Sequence, residues 1–332
     1  MTVISNNIID DYHKIEKDFI LNIGNFDGFH SGHQQIINKT DQIAKTKNYK
    51  KAIITFSNKP AALFEKKFIN TQIFPLESKI DYLKKLKEDF VFIFEFNSDL
   101  RNMNAIEFVE FLLSNKYLKE IVVGENFTFG KEKSGNAKLL KNLMEKKDVK
   151  VSIIPLMYSD GQLVSSTMIR QHILSGDLSI NKYLIEPFYI LGLVEAGKHF
   201  GRLIQFPTAN IYIYDQIRPK PAVYATITSY KEDENIKKNR YDFSMTFVGL
   251  NGEIETHIFD KKINLYNKEI KVYFIKYMRD IIKIESLTHL EKVLKDDRKK
   301  VLKYFQSLAG ENPFDAKLFL KNYHRSIINV FE

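Results

Sequence analysis

The sequence predicts an α/β protein of two domains, in which a doubly wound parallel sheet covered by helices precedes an antiparallel β-barrel with a carboxyl-terminal helix. The chain has 332 residues, which is long for a single hydrophobic core. Up to about residue 180, short apolar runs alternate with stretches of helical spacing, whereas after about residue 183 such runs follow one another without helices between them. We therefore expect one domain at residues 1–182 and another at residues 183–332.

The first half shows the alternation typical of a parallel sheet. Apolar residues between its strands recur at three- and four-residue steps, which places them on one buried helix face. These recurring positions are Leu76, Ile80, Leu83 and Leu86 in one stretch and Ile106, Val109 and Leu113 in another. The predicted strands are 19–22, 52–56, 91–94, 121–123 and 151–154.

The second half has the pattern of an antiparallel barrel. The charged stretch 231–239 lacks apolar periodicity and predicts a solvated loop between strands. Helical spacing returns from Leu287 to Leu302, which predicts a helix packed on the barrel, and a further short helix is expected after Gly310. The predicted strands are 188–194, 223–228, 243–248, 255–259 and 270–275.

Composition excludes several classes of protein. The net charge is +9, but basic residues are interspersed with acidic ones, which indicates a solvated surface rather than a nucleic-acid site. No apolar run reaches the roughly 20 residues of a membrane-spanning helix, and the amino terminus lacks the features of a secretory signal. We expect a cytoplasmic protein, monomeric or weakly homo-oligomeric, with small-molecule partners and neither nucleic-acid nor membrane partners.

The densest cluster of reactive side chains lies at residues 24–33, GNFDGFHSGH, between a predicted strand and a helical pattern. Open α/β sheets bind ligands at the carboxyl ends of their strands. Glycine lets the backbone approach a phosphate, and the N–H groups that start the next helix attract an anion. His30 and His33 are spaced so that both imidazoles can donate to a triphosphate as negative charge develops. The loop predicts a nucleotide site, with a turn carrying incidental histidines as the alternative.

A second cluster lies at residues 197–210, GKHFGRLIQFPTAN, between two predicted barrel strands. The hydroxyl of Thr208 and the amide oxygen of Asn210 are hard oxygen ligands of the kind that bind Mg²⁺. Taken alone, the Pro-Thr-Ala-Asn tetrad favours a structural turn over a metal site. The chain has no cysteine, so any metal must be held by oxygen or imidazole.

Three segments of the first half together resemble the nucleotidyltransferase superfamily, in the form seen in bacterial FAD synthetases. Residues 24–33 resemble its GxFDGxHxGH signature. Residues 123–130, VGENFTFG, resemble its VGxNFxFG segment, and residues 164–170, VSSTMIR, its SSTxIR segment. The resemblance implies a Rossmann-like domain in which the FMN phosphate attacks the α-phosphorus of ATP, producing FAD and pyrophosphate.

The same resemblance implies a role for each matching position. His30 and His33 would stabilise the phosphates of ATP, and Arg170 would hold the departing pyrophosphate. Positioning, electrostatics and Mg²⁺ would carry the reaction without a covalent intermediate. The further candidates for binding ATP or FMN are Gly24, Asn25, Phe26, Asp27, Gly28, Asn126, Ser166 and Thr167.

The second half resembles riboflavin kinases. Residues 197–210 match the GxxxGxxxxxPTAN signature, and residues 254–260, IETHIFD, resemble the EvHxxD strand. The resemblance implies ATP-dependent phosphorylation of riboflavin to FMN, with Glu255 as the base that takes the proton of the 5′-hydroxyl and with Thr208 and Asn210 as the metal ligands. The further candidates for binding ATP or flavin are Gly197, Gly201, Pro207 and Arg279.

The chain departs from both families at single positions. Residues 55–60, TFSNKP, lack the histidine of the usual TFxPHP segment, although Lys59 supplies a positive charge nearby. Residues 222–225, AVYA, stand where riboflavin kinases usually have GVYA, and residues 249–252, GLNG, lie near the position of a usual Pro-Thr pair. These differences bear on substrate contacts, on rate and on the geometry of the flavin loop.

The favoured interpretation is a bifunctional enzyme with ATP, riboflavin and FMN as substrates, FAD as product and Mg²⁺ as cofactor. One alternative is an FAD synthetase whose second domain phosphorylates slowly or not at all. Another is a different nucleotidyltransferase with the HxGH element, although such chains usually lack a PTAN-bearing domain. A non-catalytic flavin or nucleotide sensor, or a basic RNA-binding protein of this fold, is an alternative from another class. Retention of His30, His33 and Arg170 argues against the sensor.

Overall fold

The computed structural model describes residues 8–57, 72–95, 97–196, 206–233, 238–261, 263–308 and 315–328. The described residues fall into two compact units, which divide after Ser166, except that residues 72–75 belong to the second unit. The domain boundary expected between residues 182 and 183 stays a prediction. Each unit has the architecture that the sequence predicts for its half of the chain.

The first unit is built on a five-stranded sheet of order β3-β2-β1-β4-β7, in which all neighbouring strands are parallel. Two small antiparallel pairs, β5 with β6 and β8 with β9, lie outside this sheet. In chain order the strands are β1 (Phe19–Ile23), β2 (Lys50–Phe56), β3 (Phe90–Phe94), β4 (Leu118–Gly124), β5 (Thr128–Phe129), β6 (Gly135–Asn136), β7 (Lys150–Ile154), β8 (Tyr158–Ser159) and β9 (Gln162–Leu163).

Helices cover this sheet because its strands carry apolar side chains on both faces, as the fully buried β1 shows. Side chains from α1, α5 and α6 share one apolar core with the sheet, while α2 packs on β1 and β4. The helices of the unit are α1 (Ile8–His13), α2 (Ser31–Lys47), α3 (Leu76–Lys85), α4 (Ser98–Asn102), α5 (Ala105–Leu113) and α6 (Ala137–Glu145), with a 3₁₀ turn at Lys131–Lys133.

The strand order places a crevice at the carboxyl ends of β1 and β4. From β1 the chain moves outward through β2 and β3, and then returns to the other side of β1 with β4. Such a reversal makes the two loops that follow β1 and β4 diverge, and ligands bind in the gap between them. The sheet therefore directs residues 24–30 and 125–130 toward one site.

A buried carboxyl group lies far from that crevice, at the amino end of β3. Glu88 is 4% exposed, and burial raises its pKa to about 7 against the opposing pull of Lys51, whose Nζ is 3.7 Å from Oε1. A carboxyl group with a raised folded-state pKa stabilises the fold fully at low pH, and this contribution is lost as the pH rises through about 7. Folding stability should therefore fall between pH 5 and pH 8 through this group.

Replacement of Glu88 by glutamine tests this expectation. From pH 5 to pH 8, the parent should lose about 1–3 kcal/mol of unfolding free energy that the Glu88→Gln variant does not lose. Urea denaturation followed by circular dichroism at both pH values measures the difference. Glu77→Gln, a change of an exposed glutamate on α3, is the matched control, and an equal difference at the two pH values for Glu88→Gln would contradict the assignment.

The second unit is a closed antiparallel barrel of order β10-β11-β14-β13-β12-β15, closed by pairing of β10 with β15. Its buried β12 lies at the centre of the longest pairings, with β13 on one side and β15 on the other. The strands are β10 (Tyr189–Glu195), β11 (Ala209–Ile213), β12 (Ala222–Tyr230), β13 (Arg240–Val248), β14 (Ile254–Ile258) and β15 (Glu269–Arg279).

Helices pack outside the barrel through aromatic side chains. The ring of Phe243 on β13 lies 4.4 Å from that of Phe305 and 5.8 Å from that of Phe319, measured between centroids. Of the predicted apolar stripe, Val301 is buried, whereas Leu287 is exposed and the residues between them are at most half-buried, apart from Asp297. The helices are α7 (Ser166–Ser175), α8 (Leu287–Leu308) and α9 (Ala316–Ile328), with a 3₁₀ segment at Leu178–Tyr183.

The structure confirms the predicted fold class and corrects one detail of the barrel. The sequence analysis places residues 197–210 between two predicted strands and predicts no strand before residue 223, whereas Ala209–Ile213 forms β11. The outward positions of this strand are polar, and the strand begins within the Pro-Thr-Ala-Asn motif. The motif was interpreted as a binding site, so the strand was missed. In the described ranges, no helix is long and apolar enough to cross a membrane.

Candidate active sites

The loop after β1 has an unusual backbone that aromatic packing holds in place. Phe26 and Phe29 have φ values of 49° and 40°, and Gly28 has a φ of 84°. For a bulky residue, the left-handed region costs on the order of 1–3 kcal/mol, so it persists only where surrounding contacts enforce it. Both phenylalanines are buried, their rings stack 6.0 Å apart, and the ring of Phe29 lies 4.3 Å from that of Tyr82. The loop therefore has one defined conformation, which aromatic packing maintains.

His30 and His33 lie side by side at the start of α2. His30 has extended backbone at the N-cap position, and its carbonyl accepts from the N–H of His33 at 2.8 Å. The two rings stack 3.7 Å apart with an interplanar angle of 24°. His30 is 6% exposed, whereas His33 is half-buried and lines a pocket. The pair is positioned at a helix N-terminus, where backbone N–H groups and the helix dipole favour an anion.

Gly32 keeps the two imidazoles in this arrangement. A Cβ atom added at this position would lie 3.2 Å from both Cε1 and Nδ1 of His30. That distance is shorter than an ordinary van der Waals contact, so a larger residue would displace the ring. The glycine of the HxGH element thus has a packing reason in this fold.

A pocket of about 690 Å³ opens beside these histidines, within the first unit. Its walls include the loops after β1 and β4, as the strand order leads one to expect, together with residues 100–103 at the end of α4. The predicted residues Gly24, Asn25, Phe26, His33 and Asn126 line it. Among the other lining residues, which also include aliphatic side chains and the acidic Glu132, are several aromatic and basic ones, namely Phe56, Phe108, Phe127, Phe129, Arg101, Lys131 and Lys133. This chemistry suits a planar ring system that carries a phosphate.

Lys79 is a residue of this region that the sequence analysis missed. It is 3% exposed, and its Nζ donates to the carbonyl oxygens of Asn25 and Phe56, at 2.9 Å in each case. Burial lowers its pKa to about 8, and the charge of Asp27 acts in the opposite direction. Lys79 lies at the spacing of the apolar stripe that contains Leu83. The position of a lysine on the predicted apolar face of this helix was the sequence feature that could have identified it.

The remaining predicted residues of the first site are Asp27, Gly28, Ser166, Thr167 and Arg170. The Ser166 hydroxyl donates to the carbonyl oxygen of Asp27 at 2.9 Å, which ties the start of α7 to the loop. Asp27 itself is 2% exposed. Thr167 and Arg170 lie on α7, where Thr167 is exposed and Arg170 half-buried, and both belong to the second unit. Residues 58–60, where the histidine is replaced, lie outside the described residues.

Strand pairing in the barrel brings together the residues predicted for the second site. The register of β11 on β14 sets Asn210 directly opposite Glu255. Directly opposed residues of an antiparallel pair project on the same face. The Thr208 hydroxyl donates to Glu255 Oε2 at 3.0 Å. One carboxylate, one hydroxyl and one amide thus lie together, although 45 residues separate Asn210 from Glu255 in the chain.

His257 supports this cluster from the same strand. Its Nδ1 lies 2.9 Å from the carbonyl oxygen of Pro207, and its ring centroid is 5.1 Å from that of Phe206. Burial lowers the pKa of His257, which favours a neutral ring that donates to the Pro207 carbonyl. The sequence analysis quoted His257 within its motif without giving it a role. In the structure it fixes the backbone that leads into Thr208.

Arg279 is held by a buried carboxylate. Its Nε donates to both oxygens of Asp297, and a second nitrogen, Nη2, donates to Oδ2 at 2.5 Å. Asp297 is 3% exposed and lies on α8, so this bidentate pair ties the helix to the end of β15. Gly197 and Gly201, the predicted glycines of the kinase signature, lie outside the described residues.

Comparison with known proteins assigns a family to each half. The family model described as FAD synthetase matches residues 12–168, and the one described as riboflavin kinase matches residues 184–305. A relative from Haemophilus influenzae, named bifunctional riboflavin kinase/FMN adenylyltransferase, is 32% identical over 295 residues, covering 86% of this chain and 94% of the relative. A relative of that name from Bacillus subtilis is 28% identical over 295 residues, covering 87% and 93%.

One solved structure resembles the chain over most of its length. It is a crystal structure from Streptococcus pneumoniae, of a protein described as a macrolide-efflux protein. The TM-score is 0.79 at 28% identity, with coverage of 90% of this chain and 98% of the other. The likeness therefore includes both halves of the chain.

Proposed function

The chain belongs to the bifunctional riboflavin kinase/FMN adenylyltransferase family, and from that premise we propose that its two reactions take place at the two clusters described above. It is an enzyme of flavin cofactor synthesis that phosphorylates riboflavin to FMN and adenylylates FMN to FAD. We assign adenylyl transfer to the loop 24–33 and its pocket. Phosphorylation is assigned to the Thr208, Asn210 and Glu255 cluster.

At the first site, the FMN phosphate attacks the α-phosphorus of ATP and pyrophosphate leaves. His30 and His33 donate hydrogen bonds where charge accumulates on the phosphates, together with N–H groups at the start of α2. The aromatic wall of the pocket receives a planar ring, and Asn126 orients the bound substrates. For Arg170, the proposed contact with pyrophosphate rests on its motif and its permanent charge.

At the second site, Glu255 accepts the proton of the riboflavin 5′-hydroxyl as that oxygen attacks the γ-phosphorus of ATP and ADP leaves. The Thr208 hydroxyl, by donating to Glu255, orients its carboxylate. We propose that Thr208 and Asn210 hold Mg²⁺, because their side chains supply the oxygen ligands that this ion prefers. When bound, the ion neutralises charge on the transferred phosphoryl group.

The observation that carries the assignment is the β11–β14 register, which gathers Thr208, Asn210 and Glu255 within the second unit, whereas the histidine pair lies within the first. Incubation of the protein with riboflavin, ATP and Mg²⁺, followed by separation of flavins over time, tests it. FMN should appear first and FAD later. A parallel incubation starts from FMN in place of riboflavin. Formation of FAD in that incubation, with no FMN formed from riboflavin in the first, would instead indicate an inactive kinase site.

The proposed metal ligands make a separate prediction. Asn210→Ala should raise the Mg²⁺ concentration for half-maximal FMN formation by at least about tenfold, and should leave the requirement for FAD formation unchanged. Rates measured across a magnesium titration provide the readout. Asn239→Ala, at an exposed position just before β13 of the same barrel, is the control, and an unchanged requirement in Asn210→Ala would remove this side chain from the metal site.

Location and partners follow from the same proposal. The substrates are small molecules, and we propose a cytoplasmic protein that is monomeric or weakly self-associating and that binds no nucleic acid. The interspersed charges of the chain support the last point.

A further inference from the structure

A lysine ammonium group lies beneath the nucleotide loop in a place where a charge is costly. Lys79 is on α3 and is 3% exposed, so its amine has lost nearly all contact with water. A buried ammonium group destabilises the fold unless hydrogen bonds and nearby negative charge replace its hydration. The contacts that Lys79 makes should therefore account for its presence on an otherwise apolar face.

Those contacts all converge on the loop and on the strand beside it. Nζ donates to the carbonyl oxygen of Asn25 at 2.9 Å and lies 3.3 Å from its Oδ1. It also donates to the carbonyl oxygen of Phe56, the last residue of β2, at 2.9 Å. Three acceptors match the three donors of an ammonium group. One side chain thus joins the carboxyl end of β2 to the first turn of the loop.

The loop needs such a connection because its backbone is strained. Positive φ values at Phe26, Gly28 and Phe29 follow directly after Asn25. Besides the ammonium group of Lys79, the Thr55 hydroxyl donates to the Asn25 carbonyl at 3.1 Å. Strained segments at functional sites keep their geometry only where neighbouring groups over-determine it. The contacts at Asn25 fix the point from which the chain turns toward His30.

We propose that Lys79 is a positioning residue for adenylyl transfer, which holds the 24–28 loop in the conformation that presents Asn25 to the pocket and sets His33 against the nucleotide. This inference rests on the proposed function of that loop. Lys79 acts through the loop and the end of β2, since its donors are directed to the backbone and side chain of Asn25 and to the backbone of Phe56.

The inference predicts a pH dependence that a purely structural lysine would not give. Burial lowers the pKa of Lys79 to about 8, while Asp27, buried in the same loop, favours the charged form. Above that pH, the amine of Lys79 is neutral and can donate only two hydrogen bonds. Its connection between Asn25 and Phe56 is then weaker. kcat/KM for ATP in adenylyl transfer, which reports the free enzyme, should fall as the pH rises through about 8.

Three variants of the whole 332-residue chain test the proposal. Lys79→Met, similar in length but without donors, should lower kcat for FAD formation from FMN by about 100-fold, with a smaller change in KM for FMN. Lys79→Arg should recover at least about a tenth of the parent rate, and should lose the fall in rate above pH 8 because guanidinium stays charged. Lys51→Met is the matched control, since Lys51 lies on β2 at the opposite end and also has several polar partners.

The Lys51→Met control should keep the parent rate of FAD formation. The melting temperature and far-UV circular dichroism, measured in every variant, report whether the fold is intact, and FMN formation from riboflavin reports the second unit separately. Adenylyl transfer within threefold of the parent in Lys79→Met would overturn the proposal, and so would an unchanged pH profile in Lys79→Arg. If Lys79→Met does not fold, the proposal is tested by the pH profiles alone. The fall in rate above pH 8 should then be present in the parent and absent in Lys79→Arg.

Failure of this inference is distinguishable from failure of the proposed function. His33→Ala is assayed in parallel for FAD formation. Loss of activity in His33→Ala with full activity in Lys79→Met would overturn only the role of Lys79. Full activity in His33→Ala would overturn the assignment of the loop itself.

Discussion

Replacement of His33 by alanine should lower FAD formation from supplied FMN by about 10²–10³-fold, while FMN formation from riboflavin continues at the parent rate. The side chain lines the pocket, and its ring is stacked at 3.7 Å on that of His30. Its loss removes one donor to the developing charge and also the surface that holds the other ring. The kinase reaction is spared because its proposed residues lie in the second unit.

The measurement is the initial rate of each reaction, started separately from riboflavin and from FMN. His13→Ala is the control for a histidine change in the same unit, since His13 is exposed and bonded to Ser114. FAD formation within tenfold of the parent in His33→Ala would contradict the assigned role. Loss of both activities in a variant that keeps the parent melting temperature would contradict the separation of the sites.

The opposite pattern is expected for Glu255→Gln. FMN formation from riboflavin should fall by about 10²–10⁴-fold, and FAD formation from supplied FMN should persist. The amide keeps the shape of the side chain and an oxygen that accepts from Thr208, which lies at 3.0 Å from the carboxylate. It cannot take a proton from the riboflavin hydroxyl. The variant therefore tests the role of Glu255 in proton transfer while its contact with Thr208 is kept.

Glu253→Gln provides the comparison for Glu255→Gln, because Glu253 is an exposed carboxylate two residues away that bonds to Asn251 in the turn before β14. It should leave both reactions unchanged. Kinase turnover in Glu255→Gln equal to that of the parent would show that another group accepts the proton. In that case Glu255 would keep only its contact with Thr208.

Much of the first site could be predicted from sequence because its residues are close together in the chain. His30 and His33 lie within one turn at a helix start, so the spacing alone puts both imidazoles on one side of the backbone. The alternation of apolar runs with helical spacing likewise predicted the strands of the parallel sheet, including β1, which leads into the loop.

Other parts of the sites could not be predicted, since they depend on contacts between distant residues. The helical spacing places Lys79 on the apolar face of α3, but only the fold shows that it donates to Asn25, 54 positions away in the chain. Arg279 was predicted as a contact for flavin or phosphate, a role that stays a prediction. Its bidentate pairing with Asp297 depends on the packing of α8 against the end of β15, which no local pattern predicts.

The sequence by itself determined the type of each domain and the chemical groups available, because helical and strand periods and short motifs depend on neighbouring residues and local sterics. The tertiary structure decided which of those groups meet. The pairing of Asn210 with Glu255 depends on the β11–β14 register, which closure of the whole barrel sets. The position of Lys79 depends on α3 packing beneath the end of β2. Such long-range contacts are chosen by packing and hydrogen bonding over the entire fold, and no local pattern encodes them.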